Sequence, residues 1–259
     1  MRICQDNHTN DDVKAEIMFI IDMDETRFNP YIFNSKKPKS FSISVSAMVK
    51  SLTNLKKKDK MTFSIHKVAG SGIHRMKIEI QSEKAQAVES HTEPVNKSSE
   101  EAFIASNPDD YEPGIAYMSA TVSKMKKHFK GFTATHVFFQ DRRACISTWP
   151  RIGEGSAFVN DGGSIDETKP YLNLTFKARI FVDLITKISS LSNNIYFHCP
   201  SNSERMPLKI LSNSEIGQVN VYIKDEDLIR FEQEAEGAKE VAVPAPKAAR
   251  KTVPKAKKK

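Results

Sequence analysis

Apolar residues along the chain recur with two different periods, and the changes between them mark out the elements. Ile17 to Ile21 and Tyr31 to Phe33 are short apolar runs bounded by turn residues such as Asn29-Pro30 and Lys36-Lys37-Pro38, which predicts strands joined by tight connections. Phe41, Ile43 and Val45 alternate with Ser42 and Ser44, a strand with one dry face. From Ser46 to Leu55 the spacing becomes helical, with Met48, Val49, Leu52 and Leu55 on one side and Ser46, Lys50 and Asn54 opposite. Strands are expected next at Met61 to Ile65 and Met76 to Ile80. A second amphipathic helix spans Ser119 to Phe129, with Val122, Met125 and Phe129 on its apolar face. Strands follow at His136 to Gln140 and Ala144 to Thr148, then a Gly-rich stretch, then the alternation of Leu172, Leu174 and Phe176 against Tyr171, Asn173, Thr175 and Lys177. A third helix covers Lys177 to Ile188, packing Ile180, Phe181, Leu184, Ile185 and Ile188 inward and showing Arg179, Asp183, Thr186 and Lys187 outward. Ile195 to His198, Leu208 to Leu211 and Gln218 to Ile223 complete the strands.

Two stretches break this pattern. Residues 82–113 hold eight acidic residues, two lysines and three prolines without periodicity, which predicts a linker between an N-terminal domain (1–81) and a C-terminal domain (114–228). Residues 229–259 run from an acidic segment into a Lys/Pro/Ala mixture beginning at Val241, expected to be a disordered arm. Charge sharpens that division. Of 39 Lys and Arg residues, seven lie between Val241 and Lys259 with no acidic residue among them, leaving 32 basic against 32 acidic in residues 1–240. The body is neutral and the excess of +7 belongs to the tail. Cys4, Cys145 and Cys199 are an odd set without metal-ligand spacing, which argues against a disulfide framework or zinc site. No apolar run reaches the length of a membrane span.

The catalytic-looking motif is Asp22-Met23-Asp24-Glu25-Thr26, directly after an apolar run. Two carboxylates so spaced resemble the first motif of the aspartate-nucleophile phosphatases, in which one Asp attacks phosphorus and the other serves as acid and base around magnesium. The companion residues are not in place, since Asp109-Asp110 sits in the acidic stretch and not after a strand. Gly153, Gly155, Gly162 and Gly163 lack the spacing of a nucleotide loop and read as hairpin turns. His66 and His74 bracket an expected hairpin, while His128 and His198 fall in a helix and a strand. The stronger signal is basic. Lys50 with Lys56, Lys57 and Lys58 beyond it, then Lys124, Lys126, Lys127 and Lys130, then Arg179 and Lys187 put positive charge on the outward side of all three helices. Phosphate backbones reward that arrangement in any base sequence.

The ordered stretches Ile17 to Ile65 and Tyr171 to Ile223, and more loosely Ser119 to Thr148, resemble the DNA sliding clamps of eukaryotes, archaea and large DNA viruses, the proliferating cell nuclear antigen family. The resemblance implies an α+β processivity fold of two similar domains, with outer antiparallel sheets and inner DNA-facing helices, closed head-to-tail into a trimeric ring around duplex DNA. Lys50, Lys124, Lys127, Arg179 and Lys187 would occupy or adjoin the family's basic positions, with Lys126 and Lys130 added by this sequence. Partner proteins, a DNA polymerase among them, would insert a hydrophobic-plug peptide near Val13, Pro207, Tyr222 and Ile223, although Lys224-Asp225 replaces the family's Ala-Pro there. The first strand-helix-strand unit of the fold is missing from the match, and the stretches between Ile65 and Met76 and between Arg151 and Pro170 are each a strand short. The expected protein is thus a non-enzymatic processivity factor without a cofactor, served by a clamp loader and working in the nucleus or a viral replication compartment. A clamp-derived transcription or scaffold subunit without a closed ring is one alternative. A magnesium-dependent phosphatase using Asp22 and Asp24 is the other.

Overall fold

A computed structural model describes residues 2–6, 17–24, 26, 28, 32, 41–42, 45–53, 55–56, 58–82, 88–97, 110–151, 157–161, 165–166, 168–201, 206–215 and 217–240. The fold is mixed α+β with antiparallel sheets and few helices. It divides into two compact units, one formed by Met23–Pro108 and the other by Arg2–Asp22 together with Asp109–Lys259.

The larger unit opens with strands β1 (Arg2–Asp6) and β2 (Ile17–Met23), which pair antiparallel. The smaller unit then holds β3 (Phe41–Ser42), α1 (Val45–Leu52), β4 (Lys60–Lys67), β5 (His74–Gln81) and β6 (Val88–Lys97). Its sheet runs β3-β6-β5-β4, and Met76, Ile78, Ile80 and Val95 form its core with Leu52 and Phe63 packed against them.

The chain returns to the larger unit with β7 (Ile115–Met118), α2 (Ser119–His128), β8 (Ala134–Gln140), β9 (Arg143–Ser147) and β10 (Ala157–Val159). The same order then recurs as β11 (Leu172–Lys177), α3 (Ala178–Ser189), β12 (Asn194–His198), β13 (Leu208–Ser214) and β14 (Gly217–Ile223). A last helix, α4, spans Glu226–Glu240. Each strand-helix-strand-strand-strand module lends its leading strand to the other. β7 pairs with β12 and β11 pairs with β8, giving sheets ordered β10-β9-β8-β11 and β14-β13-β12-β7, the latter extended by β2 and β1. Neither helix has a side-chain N-cap, because the exchange supplies the bond instead. The Ser119 N–H donates to Asn193 O (2.9 Å), and the Ala178 N–H to Thr133 O (2.9 Å), each acceptor lying just before the first meander strand of the other module.

Val122 and Met125 of α2, Phe129 at its C-terminal cap, and Phe181, Ile185 and Ile188 of α3 enter one core with Val137, Ile146, Ile195, Phe197, Ile210 and Val221 from both sheets. Burial of each large side chain contributes about 1.5–3 kcal/mol. Tyr117 is fully buried and satisfies its hydroxyl on Ala144 O (2.6 Å) and Phe158 O (2.9 Å), tying the second module's sheet to the first's. The β8–β9 hairpin turns on Asp141 and Arg142, both at positive φ (47° and 63°), the geometry that matches the twist of a two-residue hairpin.

Several expectations change. Residues 82–113 are not simply a linker, because Val88–Lys97 form β6 and Tyr111 bridges to Pro200 inside the larger unit. β6 escaped the pattern because the side chains it turns toward α1 are polar: the Ser51 hydroxyl donates to Glu93 Oε1 (3.5 Å). Pro94 is tolerated because β3 pairs only with Asn96 and Lys97. Residues 2–22 join the C-terminal unit and not an N-terminal domain of 1–81. Residues 229–240 are helical, as part of α4, where a disordered arm was expected, while 241–259 lie outside the described residues. α1 starts at Val45, within the expected strand, and buries Ser51 while Val49 stays 61% exposed. The expected strand at Tyr31 to Phe33 lies outside the described residues apart from Ile32.

Candidate nucleic-acid interface

Two short helices packed side by side carry most of the basic candidates. On α2, at about 100° per residue, Lys124 and Lys127 fall opposite the buried stripe of Val122, Met125 and Phe129, and both are exposed. Lys126 lies on the flank of that stripe, turned toward α3. Its Nζ meets Asp183 Oδ1 at 3.0 Å. On α3, Arg179, Asp183 and Lys187 follow at intervals of four and so share one face, away from Phe181, Ile185 and Ile188. Lys130 is exposed just past the end of α2. Lys50 is exposed on α1, in the other unit.

Asp183 is the residue the charge count missed. Its hydrogen bond and ion pair with Lys126, and beyond them the charges of Lys187 and Arg179, hold its carboxyl below the usual carboxylate range. A depressed folded value keeps the group ionised as pH falls, so the pair persists through neutral pH and is lost only below the ordinary value of about 3.9. The spacing Arg179–Asp183–Lys187 was the available signal, since a carboxylate between two bases at helical intervals tempers the face it sits on. Replacing Asp183 by Asn removes that carboxylate and releases Lys126. The expected outcome is a several-fold gain in duplex-DNA affinity at low salt with a salt slope steeper by about one unit, read by fluorescence anisotropy in a salt series.

The four partner-site candidates do not form one patch. Val13 lies outside the described residues. Tyr222 and Ile223 are successive residues of β14 and turn to opposite faces of the sheet. Tyr222 packs against Tyr111 with ring centroids 6.1 Å apart, and the Tyr111 hydroxyl donates to Pro207 O (2.9 Å) while Lys209 Nζ sits 5.5 Å from the Tyr111 ring centre. Ile223 belongs to the core at 4% exposure and lines an open recess with Ile17, Phe176, Ile180, Glu226 and Ile229. Ile180, expected in the core, is 40% exposed at this recess. α4 is held beside it by a local cap: the Leu228 N–H donates to Asp225 Oδ1 (3.1 Å), and Lys224 pairs with Glu232 at 2.8 Å. Burial raises the Asp225 carboxyl pKa.

The remaining chemistry-bearing groups are engaged locally. Asp24 Oδ1 accepts from the Thr26 N–H (2.9 Å) and hydroxyl (2.7 Å), which is a turn closing on itself. Among the described residues no group of three or more His, Cys, Asp or Glu is placed to hold a metal ion. Burial pushes the Cys145 and Cys199 thiols up to about 11, so neither carries thiolate at neutral pH. His198 Nδ1 lies 3.1 Å from Glu112 O, and its ring crowds Gly114, where a Cβ would come within 2.8 Å. No described helix is long and apolar enough to cross a membrane. The chain matches no family model and no curated protein.

Proposed function

We propose that the protein is a DNA sliding clamp, a non-catalytic processivity factor that surrounds or tracks duplex DNA and tethers a polymerase and other replication and repair proteins to it. The observation that carries the reading is the paired helices α2 and α3, each buried on one face against the sheets and showing Lys124, Lys127, Arg179 and Lys187 on the other. Lysines and arginines on short rigid helices meet phosphates at any base sequence, and a lattice of equivalent phosphates lets such a contact slide. The strand-helix-strand-strand-strand module, which occurs twice in the larger unit, supports the same reading. On this account subunits assemble into a trimeric ring, a loader places it on DNA, and the nucleus or a viral replication compartment is its site of action. Partner plugs use the open recess at Ile180, with Pro207 and Tyr222 on the reverse side of that sheet.

The segment from Val241 adds seven basic residues and no acidic one to a body that is otherwise neutral. Deleting residues 241–259 is expected to lower affinity for linear duplex strongly at about 50 mM salt and weakly at about 200 mM, with the body's own salt-dependent binding retained. Anisotropy titrations with two unrelated duplex sequences test the function directly. Equal affinity for both, with a negative salt slope that survives deletion, is the expected result, and no binding by the deleted protein would remove the helix face as a DNA contact.

A further inference from the structure

The chain re-enters the larger unit along the edge of β12, and its register shifts there by one residue. In β7, Ile115 stands opposite Phe197, whereas just before it Tyr111 stands opposite Pro200. Glu112, Pro113 and Gly114 therefore face only His198 and Cys199, which makes a bulge with one residue to spare. Proline and glycine suit it, since the first brings no N–H to the ladder and the second no side chain. The His198 ring takes up the space so left. A Cβ on Gly114 would stand 2.8 Å from both Nε2 and Cε1 of that ring.

Hydrogen bonds fix the segment around this bulge. The Glu112 N–H donates to Cys199 O (2.8 Å), the Ser201 N–H to Asp110 O (2.8 Å) and the Tyr111 hydroxyl to Pro207 O (2.9 Å). His198 closes the group, its Nδ1 lying 3.1 Å from Glu112 O. A carbonyl only accepts, so Nδ1 carries the hydrogen, and in the neutral ring Nε2, against Gly114, is bare. A second proton has to enter at Nε2. Around the ring stand Lys209, directly opposite on β13, Tyr196 on the same face of β12, and Asp110, Tyr111 and Glu112 of the segment itself. Burial, and to a lesser degree the charge of Lys209, hold the His198 pKa below its ordinary value against the opposing effect of the bond to Glu112.

We propose that His198 is a proton-operated latch for residues 110–114: its neutral ring pins the bulge to β12, and protonation at Nε2 frees the segment and so lengthens the chain between the two units. A histidine whose folded value is lowered takes up its proton more readily once the segment is free. The latch therefore holds fully above the ordinary value of about 6.5 and loosens as pH falls below it, until the lowered folded value is reached. Unlatching moves residues 110–114 alone, because Ile115 and Tyr117 beyond the bulge are sealed in the core. The inference does not depend on DNA binding.

Amide exchange of the full chain, followed by NMR and expressed as protection factors so that the intrinsic pH dependence of exchange drops out, tests the latch. Protection of the Glu112 and Ser201 amides should be level above about pH 7.5 and fall several-fold between about pH 7 and about pH 5.5, while that of Ile210 on the inner strand β13 stays constant. His198→Asn keeps a donor near the position of Nδ1 but does not titrate, so it should retain the protection seen at neutral pH and lose the pH dependence. Gly114→Ala drives the ring from its place and should lower protection at both amides at every pH, again with Ile210 unchanged. Level protection at Glu112 and Ser201 across the whole range would overturn the inference. So would a fall that persists in His198→Asn, which would assign the change to the carboxylates of Asp110 and Glu112, or a parallel fall at Ile210, which would make it acid unfolding of the whole unit.

Discussion

Reversing charge at Lys124 and Lys127 together is expected to weaken duplex-DNA binding about 10- to 100-fold at about 0.1 M salt and to reduce the salt slope by about one or two units. Both side chains lie on the face of α2 opposite the core and are exposed, so their replacement by Glu leaves Val122, Met125 and Phe129 in place. The loss comes from two phosphate contacts becoming repulsions. The melting temperature of the double variant should stay close to the parent's, and a plug peptide should bind it as before. An unchanged slope in a folded double variant would remove α2 from the interface. The same change at Lys126 is expected to do less to DNA and more to the α2–α3 joint, because that lysine already serves Asp183.

Ile223→Asp is expected to prevent stable folding altogether. Ile223 is the last residue of β14, an inner strand of the six-stranded sheet, paired with Leu208 of β13 and 4% exposed within the main core. Burying an unpaired carboxylate there costs several kcal/mol, to which the lost apolar burial adds, against a total stability of about 5–15 kcal/mol for a domain. Near-UV circular dichroism and a thermal melt should show loss of the cooperative transition. A folded variant within about 1 kcal/mol of the parent would mean that β14 does not sit as described. A test of plug capture therefore belongs at Ile180, on the exposed side of the recess, where Ile180→Asp perturbs the surface and spares the core.

The periodic elements were legible where one face is uniformly apolar. α2 and α3 were placed to within a residue because Val122, Met125, Phe129 and Phe181, Ile185, Ile188 repeat at helical spacing against charged partners. β11 was visible in the alternation of Leu172, Leu174 and Phe176. β6 was not, because its inward face reads Glu89, His91 and Glu93 before the single apolar Val95, and a proline interrupts it. The helical character of residues 229–240 was hidden for a different reason. Its acidic composition suggested disorder, whereas Leu228, capped by Asp225 and 6% exposed, anchors the start of the helix. At the candidate site, composition located the basic faces but could not show that Lys126 spends its charge on Asp183, since that pairing needs α2 and α3 side by side. Strand periodicity was enough to set Tyr222 and Ile223 on opposite faces, although both are buried to a similar degree.

The measurement that bears most directly on a clamp is retention on DNA of different topology. The protein, incubated at high concentration with nicked circular duplex and passed through a sizing column at about 0.3 M salt, is challenged by cutting the circle with a restriction enzyme before a second passage. A clamp held by encirclement stays with the circle and is lost from the ends after linearisation, while salt-labile surface binding is the same before and after the cut. Retention several-fold greater on the circle is the predicted result. Equal retention on circular and linear DNA would contradict encirclement and leave a scaffold that touches DNA only from outside.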